Sequence, residues 1–137
     1  MTEAGLALQK AIIAALAADT ALQALIGVPA RVYDEPPRNT AFPYVTLGAS
    51  TIADWDTSSD RGHEHAFMFH IWSRHGGHKE ARAILGAIEG VLHTGTLPLE
   101  DHVLINLRFE FGDIFRDGDG ETIHAVMRYR AVTEPLP

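Results

Sequence analysis

The chain has 137 residues, of which 46% are hydrophobic and 21% charged, a composition that fits one folded unit and excludes wholesale disorder, collagen-like repeats and coiled-coil rods. Eleven Lys and Arg against 18 Asp and Glu leave a net charge of −7, the wrong sign for gripping nucleic acid through counterion release. Cysteine is absent, which removes disulfides, thiolate nucleophiles and Cys-based zinc sites, and neither a membrane-length apolar run nor the pattern of a secretory signal is present.

Residues 3–26 are rich in Ala and Leu, and Leu6, Ile12, Ile13 and Leu16 recur at helical spacing. Asp19 and Thr20 interrupt the run, and either can cap a short second helix through Leu22, Leu25 and Ile26 that ends at Gly27 and Pro29. Pro36, Pro37 and Pro43 bracket a polar loop after Tyr33, because proline supplies no N–H to a helix interior or a central ladder. The β-branched and aromatic run that follows predicts a strand over about 44–50.

Residues 53–62 lack apolar periodicity and read as a long loop holding Asp54, Trp55, Asp56, Asp60 and Arg61. From His63 to Trp72 the chain alternates, and both faces turn apolar after the first few residues. That predicts a central strand covered on two sides. Gly76 and Gly77 break the chain before an amphipathic helix over about 78–93, whose stripe is Ala81, Ile84, Leu85, Ile88, Val91 and Leu92.

Val103, Ile105, Leu107, Phe109 and Phe111 alternate with polar neighbours, so one face of that strand is expected to enter the core. Asp117-Gly118-Asp119-Gly120 forms a turn to a last strand over 122–132, which makes a hairpin. The fold class is α+β: a sheet of about four strands, antiparallel or mixed, packed by an N-terminal helix and one central amphipathic helix.

Little of this carries chemistry. His63 and His65 share a strand face and form the strongest metal candidate, with His75 and His78 nearby. No HExxH motif accompanies them, Glu64 points to the opposite face, and exposed histidines account for the pattern. The Asp117 to Glu121 stretch does not keep the ligand register of a calcium loop. Ser73 and His75 are adjacent mainly by sequence, and no nucleophile elbow, Walker loop or dinucleotide fingerprint occurs. No catalytic residue, cofactor or metal is therefore expected. Trp55, an aromatic in an acidic loop, suits an interface anchor as well as it suits a satellite of the core.

Three stretches in order carry a resemblance. They are Arg31-Val32-Tyr33-Asp34 with Pro43-Tyr44-Val45-Thr46-Leu47-Gly48; His65 to Ser73, then Gly76-Gly77 and the helix through Ile84, Ile88 and Leu92; and His124 to Arg130. Together the chain resembles, over nearly all of residues 1–137, the tail terminator proteins of long-tailed phages and gene transfer agents, also called tail-completion or head-tail joining proteins.

The resemblance implies a non-enzymatic virion protein that assembles in the host cytoplasm. It implies a ring, usually hexameric, that caps the tail tube, meets a head-side connector or stopper protein and lets DNA pass. An acidic channel repels DNA phosphates, and the chain's −7 charge has the right sign if Asp54, Asp56 and Asp60 face the lumen. A ring needs a heterologous contact; the 53–62 loop with Trp55 as anchor, and Arg108, Arg128 or Arg130 as ionic partners, are expected to supply part of it. The alternatives are a small metal-binding or hydrolytic domain built on the histidines, and another head-tail adaptor such as a stopper.

Overall fold

The computed structural model describes residues 1–137. Helix α1 (Ala4–Ala18) starts where the Glu3 carboxylate accepts hydrogen bonds from the N–H groups of Gly5 and Leu6, at 2.7 and 3.0 Å. Asp19 follows its last turn and caps α2 (Thr20–Ile26) by accepting from the Leu22 N–H at 2.9 Å. One residue thus separates two helices bent by 78°, and Gly27, at a φ of 96° that disfavours side-chain-bearing residues, ends the second. The predicted kink therefore holds, with Asp19 as the cap.

Five strands form one sheet in the order β1-β2-β3-β5-β4: β1 (Val32–Tyr33), β2 (Tyr44–Asp54), β3 (His63–Ser73), β4 (His102–Arg116) and β5 (Ile123–Pro135). β1 runs parallel to β2 and every other pairing is antiparallel, so the sheet is mixed. The fifth strand, β1, is only two residues long; too short to show a period, it gave no strand pattern in the sequence. Helix α3 (Lys79–Leu92) lies across β3, β4 and β5 and also meets α1 and α2.

All three helices cover the same face of the sheet. Ala81, Ile84, Ile88 and Leu92 of α3 and Leu8, Ile12 and Leu16 of α1 meet Phe67, Phe69, Ile71, Met127 and Tyr129 in a continuous core. Complete burial of each Leu or Ile contributes about 1.5–3 kcal/mol against leaving it in water.

Two sequence expectations need correction. β3 is central, but only one of its faces is covered: His65, Phe67, Phe69, Ile71 and Ser73 are buried, whereas Glu64, Ala66, Met68, His70 and Trp72 are half-exposed. Large aromatic rings on that open face shield one another, which is why the sequence looked apolar on both sides. β4 is an edge strand whose alternation is broken by register shifts between Leu104 and Asn106 and between Phe109 and Phe111. Of its predicted core face only Leu107 is buried; Val103, Ile105, Phe109 and Phe111 are exposed.

Candidate functional site

The 53–62 segment begins as strand, because β2 continues to Asp54, and residues 55–62 then connect to β3. The connection is closed by its own backbone. Trp55 donates to the Gly62 carbonyl at 2.9 Å, Thr57 to the Asp60 carbonyl at 2.8 Å, and Gly62 to the Asp56 carboxylate at 2.8 Å. That last bond, more than any nearby charge, holds the Asp56 carboxyl below the usual carboxylate range.

The loop is tied back to the sheet through one side chain. The Arg130 guanidinium sits 5.0 Å from the Trp55 ring centroid and donates to Glu64 at 2.6 Å. Trp55 is still 47% exposed, so it is neither swallowed by the core nor free of the sheet. Arg108 lies opposite Arg130 in the β4–β5 register, exposed and without an ion pair. Asp54, Trp55, Asp56, Asp60 and Arg61 therefore share one end of the sheet with Arg108 and Arg130. Arg128 stands one face-repeat farther along β5, paired with Glu110 at 3.1 Å.

Sequence reasoning missed an aromatic ladder across the open face. Phe42, Tyr44, Trp72, His124 and Phe115 follow one another from the β2 side to β4, with successive ring centroids 5.1, 6.2, 3.9 and 4.9 Å apart. His70 joins it by a 2.7 Å hydrogen bond between its Nδ1 and the His124 Nε2, and the other His124 nitrogen lies 3.2 Å from the Asp117 carboxylate. The signal was the alternate placing of His70 and Trp72, which shows its meaning only when β5 lies alongside.

Between α1 and the outer side of β2 runs a groove of about 400 Å³, lined by Leu6, Ile12, Ile52 and Phe67 with Glu3 and Asp34 among its polar residues. Here too the histidines differ from expectation. His65 is buried, 2.9 Å from the Thr133 hydroxyl, and His102 is buried with its Nε2 2.8 Å from the Thr2 carbonyl. Both are built into the core's edge instead of standing in solvent.

The side chains weighed for catalysis or metal binding are engaged elsewhere. The Ser73 hydroxyl donates to Glu80 at 2.7 Å and accepts at 3.5 Å from the backbone N–H of His75, not from its ring. The Asp117–His124–His70 chain ends on no nucleophile, since the His70 Nε2 is pressed against the backbone at Gly48. No three His, Asp or Glu side chains converge in a metal-holding geometry. The Asp117 to Glu121 stretch is a turn, as expected: Asp119 accepts from the N–H groups of Glu121 and Thr122 and from the Thr122 hydroxyl at 2.7–2.9 Å.

What the structure presents is surface: a helix-backed sheet with an open aromatic face and a tethered polar loop. The chain belongs to the family described as tail completion protein gp17, whose family model matches residues 10–134. It is 27% identical over 126 residues to the tail completion protein gp17 of Bacillus phage SPP1, covering 90% of each chain. A chain in the virion of a native gene transfer agent particle superposes with a TM-score of 0.88 at 28% identity, over 98% of this chain and 99% of that one. The solved structure of SPP1 gp17 shares the fold with a TM-score of 0.63 at 24% identity, over 98% of this chain and 91% of that one. The chain is a structural virion protein and not an enzyme.

Proposed function

We propose that the whole chain, residues 1–137, acts as one tail-terminator-like domain that caps the tail tube of a phage-like particle as a ring. In this reading it ends polymerisation of the tube and joins the tail to a head-side connector or stopper protein, while DNA passes without specific binding. The supporting observation is the likeness along 98% of the chain to a component of a gene transfer agent virion. The charge of −7 agrees with a passage that repels phosphates.

The ring contact assigned to this chain is the end of the sheet where Asp54, Trp55, Asp56, Asp60 and Arg61 meet Arg108 and Arg130, with Arg128 beside them. An exposed Trp stacked against the Arg130 guanidinium, with the exposed and unpaired Arg108 opposite Arg130 on β4, has the residue types of an interface anchor. Electron microscopy of particles made without the protein tests the function. Tails of uncontrolled length, separated from filled heads, are expected; tails of normal length joined to heads would refute it.

A further inference from the structure

We propose that the sheet continues from one copy of the chain into the next, the β4 edge of one pairing with the free half of β2 on its neighbour. The idea rests on the ring reading above and names the backbone surfaces that make the contact.

Both edges of the sheet are open. β1 covers only Val45 and Thr46 of β2, so residues 47–54 have β3 on one side and no strand on the other. β4 has β5 on one side, and on the other only a single bridge from Pro98 to Val103.

The direction of the unpaired groups follows from alternation. Trp55 donates to the Gly62 carbonyl directly opposite it. Counting back in twos, Ala53 and Thr51 bond toward β3, while Asp54, Ile52 and Ser50 present their N–H and C=O outward. On β4, Asp117 donates to the Thr122 carbonyl opposite. Arg116, Ile114 and Gly112 therefore point outward, and beyond the shift so do Phe109 and Leu107. On both edges the outward residues carry their side chains on the helix-covered face.

These two edges fit each other. Within the sheet β2 and β4 run in opposite directions, because three antiparallel pairings separate them. Rotation about an axis along the strands brings β4 of one copy antiparallel to β2 of the next, the same pairing type the rest of the sheet uses, and a fixed rotation of this kind can close. The incoming strand lays Phe109 and Ile114 toward the groove walled by Leu6, Ile52 and Phe67. Antiparallel running also sends the Leu107 to Phe109 stretch toward Asp54, with the Arg108 side chain on the open face beside it. Neither free edge contains a proline or a lysine, the residues that commonly blunt exposed strands.

Cross-linking decides it, helped by a chain with no cysteine of its own. Two double variants, Ile52→Cys with Phe109→Cys and Ser50→Cys with Ile114→Cys, are assembled into tailed particles and treated with a short bis-maleimide that tolerates a neighbouring register. A ladder of covalent multimers is expected from either pair, with each single variant remaining monomeric on a denaturing gel. Assembled particles in which neither pair gives multimers overturn the edge pairing, and so do dimers from Ile52→Cys alone, which would place β2 against β2. The deletion phenotype judges the tail-capping function separately: normal joined tails refute that function whatever the gel shows.

Discussion

His70 and His124 face each other across β3 and β5 with a 2.7 Å nitrogen-to-nitrogen hydrogen bond, beneath the shift in register of β2. Such a bond holds one proton between its two nitrogens, so charging both rings breaks it. Burial first, then the facing His124, lowers the affinity of His70 for a proton; Thr46, Met68 and Trp72 surround it, and Asp117 reaches it only through His124. Burial likewise lowers the His65 pKa, with His63 adding to the effect and Glu3 opposing it.

The pH dependence has a definite sign. The unfolded chain takes up these protons near the ordinary histidine value of 6.5, before the folded chain does, so acid favours unfolding. Thermal melting is expected to hold steady above about pH 7 and to decline as pH falls below 6.5. His70→Asn and His65→Gln should each flatten that decline whatever they do to the melting temperature itself. An unchanged slope in both would refute the linkage.

Gly48 has no room for a side chain: a Cβ there would lie 2.5 Å from the His70 Nε2 and 3.3 Å from the Met68 Cβ. Gly48→Ala should cost about 1–3 kcal/mol by overpacking. Made in a His70→Ala background, the same change should cost clearly less. Equal costs in the two backgrounds, measured by urea unfolding, would show that the ring is not the obstacle.

Along β4 the broken alternation separates two kinds of residue. Leu107→Ala should lose about 2–5 kcal/mol as a buried truncation. Phe111→Ser, at a position 47% exposed, should stay within about 0.5 kcal/mol of the parent. Denaturant midpoints check both, and comparable losses would restore the sequence-predicted core face.

Trp55→Ala should leave the fold intact, because Arg130 keeps its bond to Glu64, yet weaken assembly by about 2 kcal/mol or more. Light scattering of the assembled species, or the yield of joined particles, reads this. An unchanged mass and yield would count against the loop as a contact.

The hairpin turn has its own acid limit. The Thr122 N–H, then the Thr122 hydroxyl and the Glu121 N–H, hold Asp119 at about 2, against 3.8 for a free carboxyl. Its contribution is complete above 3.8 and disappears as pH falls toward 2. Asp119→Asn should therefore make acid unfolding less steep in that interval when followed by circular dichroism.

Much of the architecture was legible because it rests on local patterns. The α3 stripe, the Asp19 break and the Asp117 to Gly120 turn each follow from the chemistry of a few neighbouring residues, and the order of three weak stretches pointed to the family. The β4 pattern misled for a physical reason: one extra residue at each bulge moves every later side chain to the other face. Nothing in the composition of residues 102–116 marks where those extra residues fall.

The sequence by itself determined the order of the helices and the four long strands, the Asp19 cap between α1 and α2 and the acidic charge, all of which depend on residue type and short spacing. Tertiary structure decided which sheet face lacks a helix, which strands became edges, and that His124 and Trp72 stack although 52 positions separate them in the chain. Those features arise when β5 inserts between β3 and β4, a long-range pairing whose partners carry no local sign of one another.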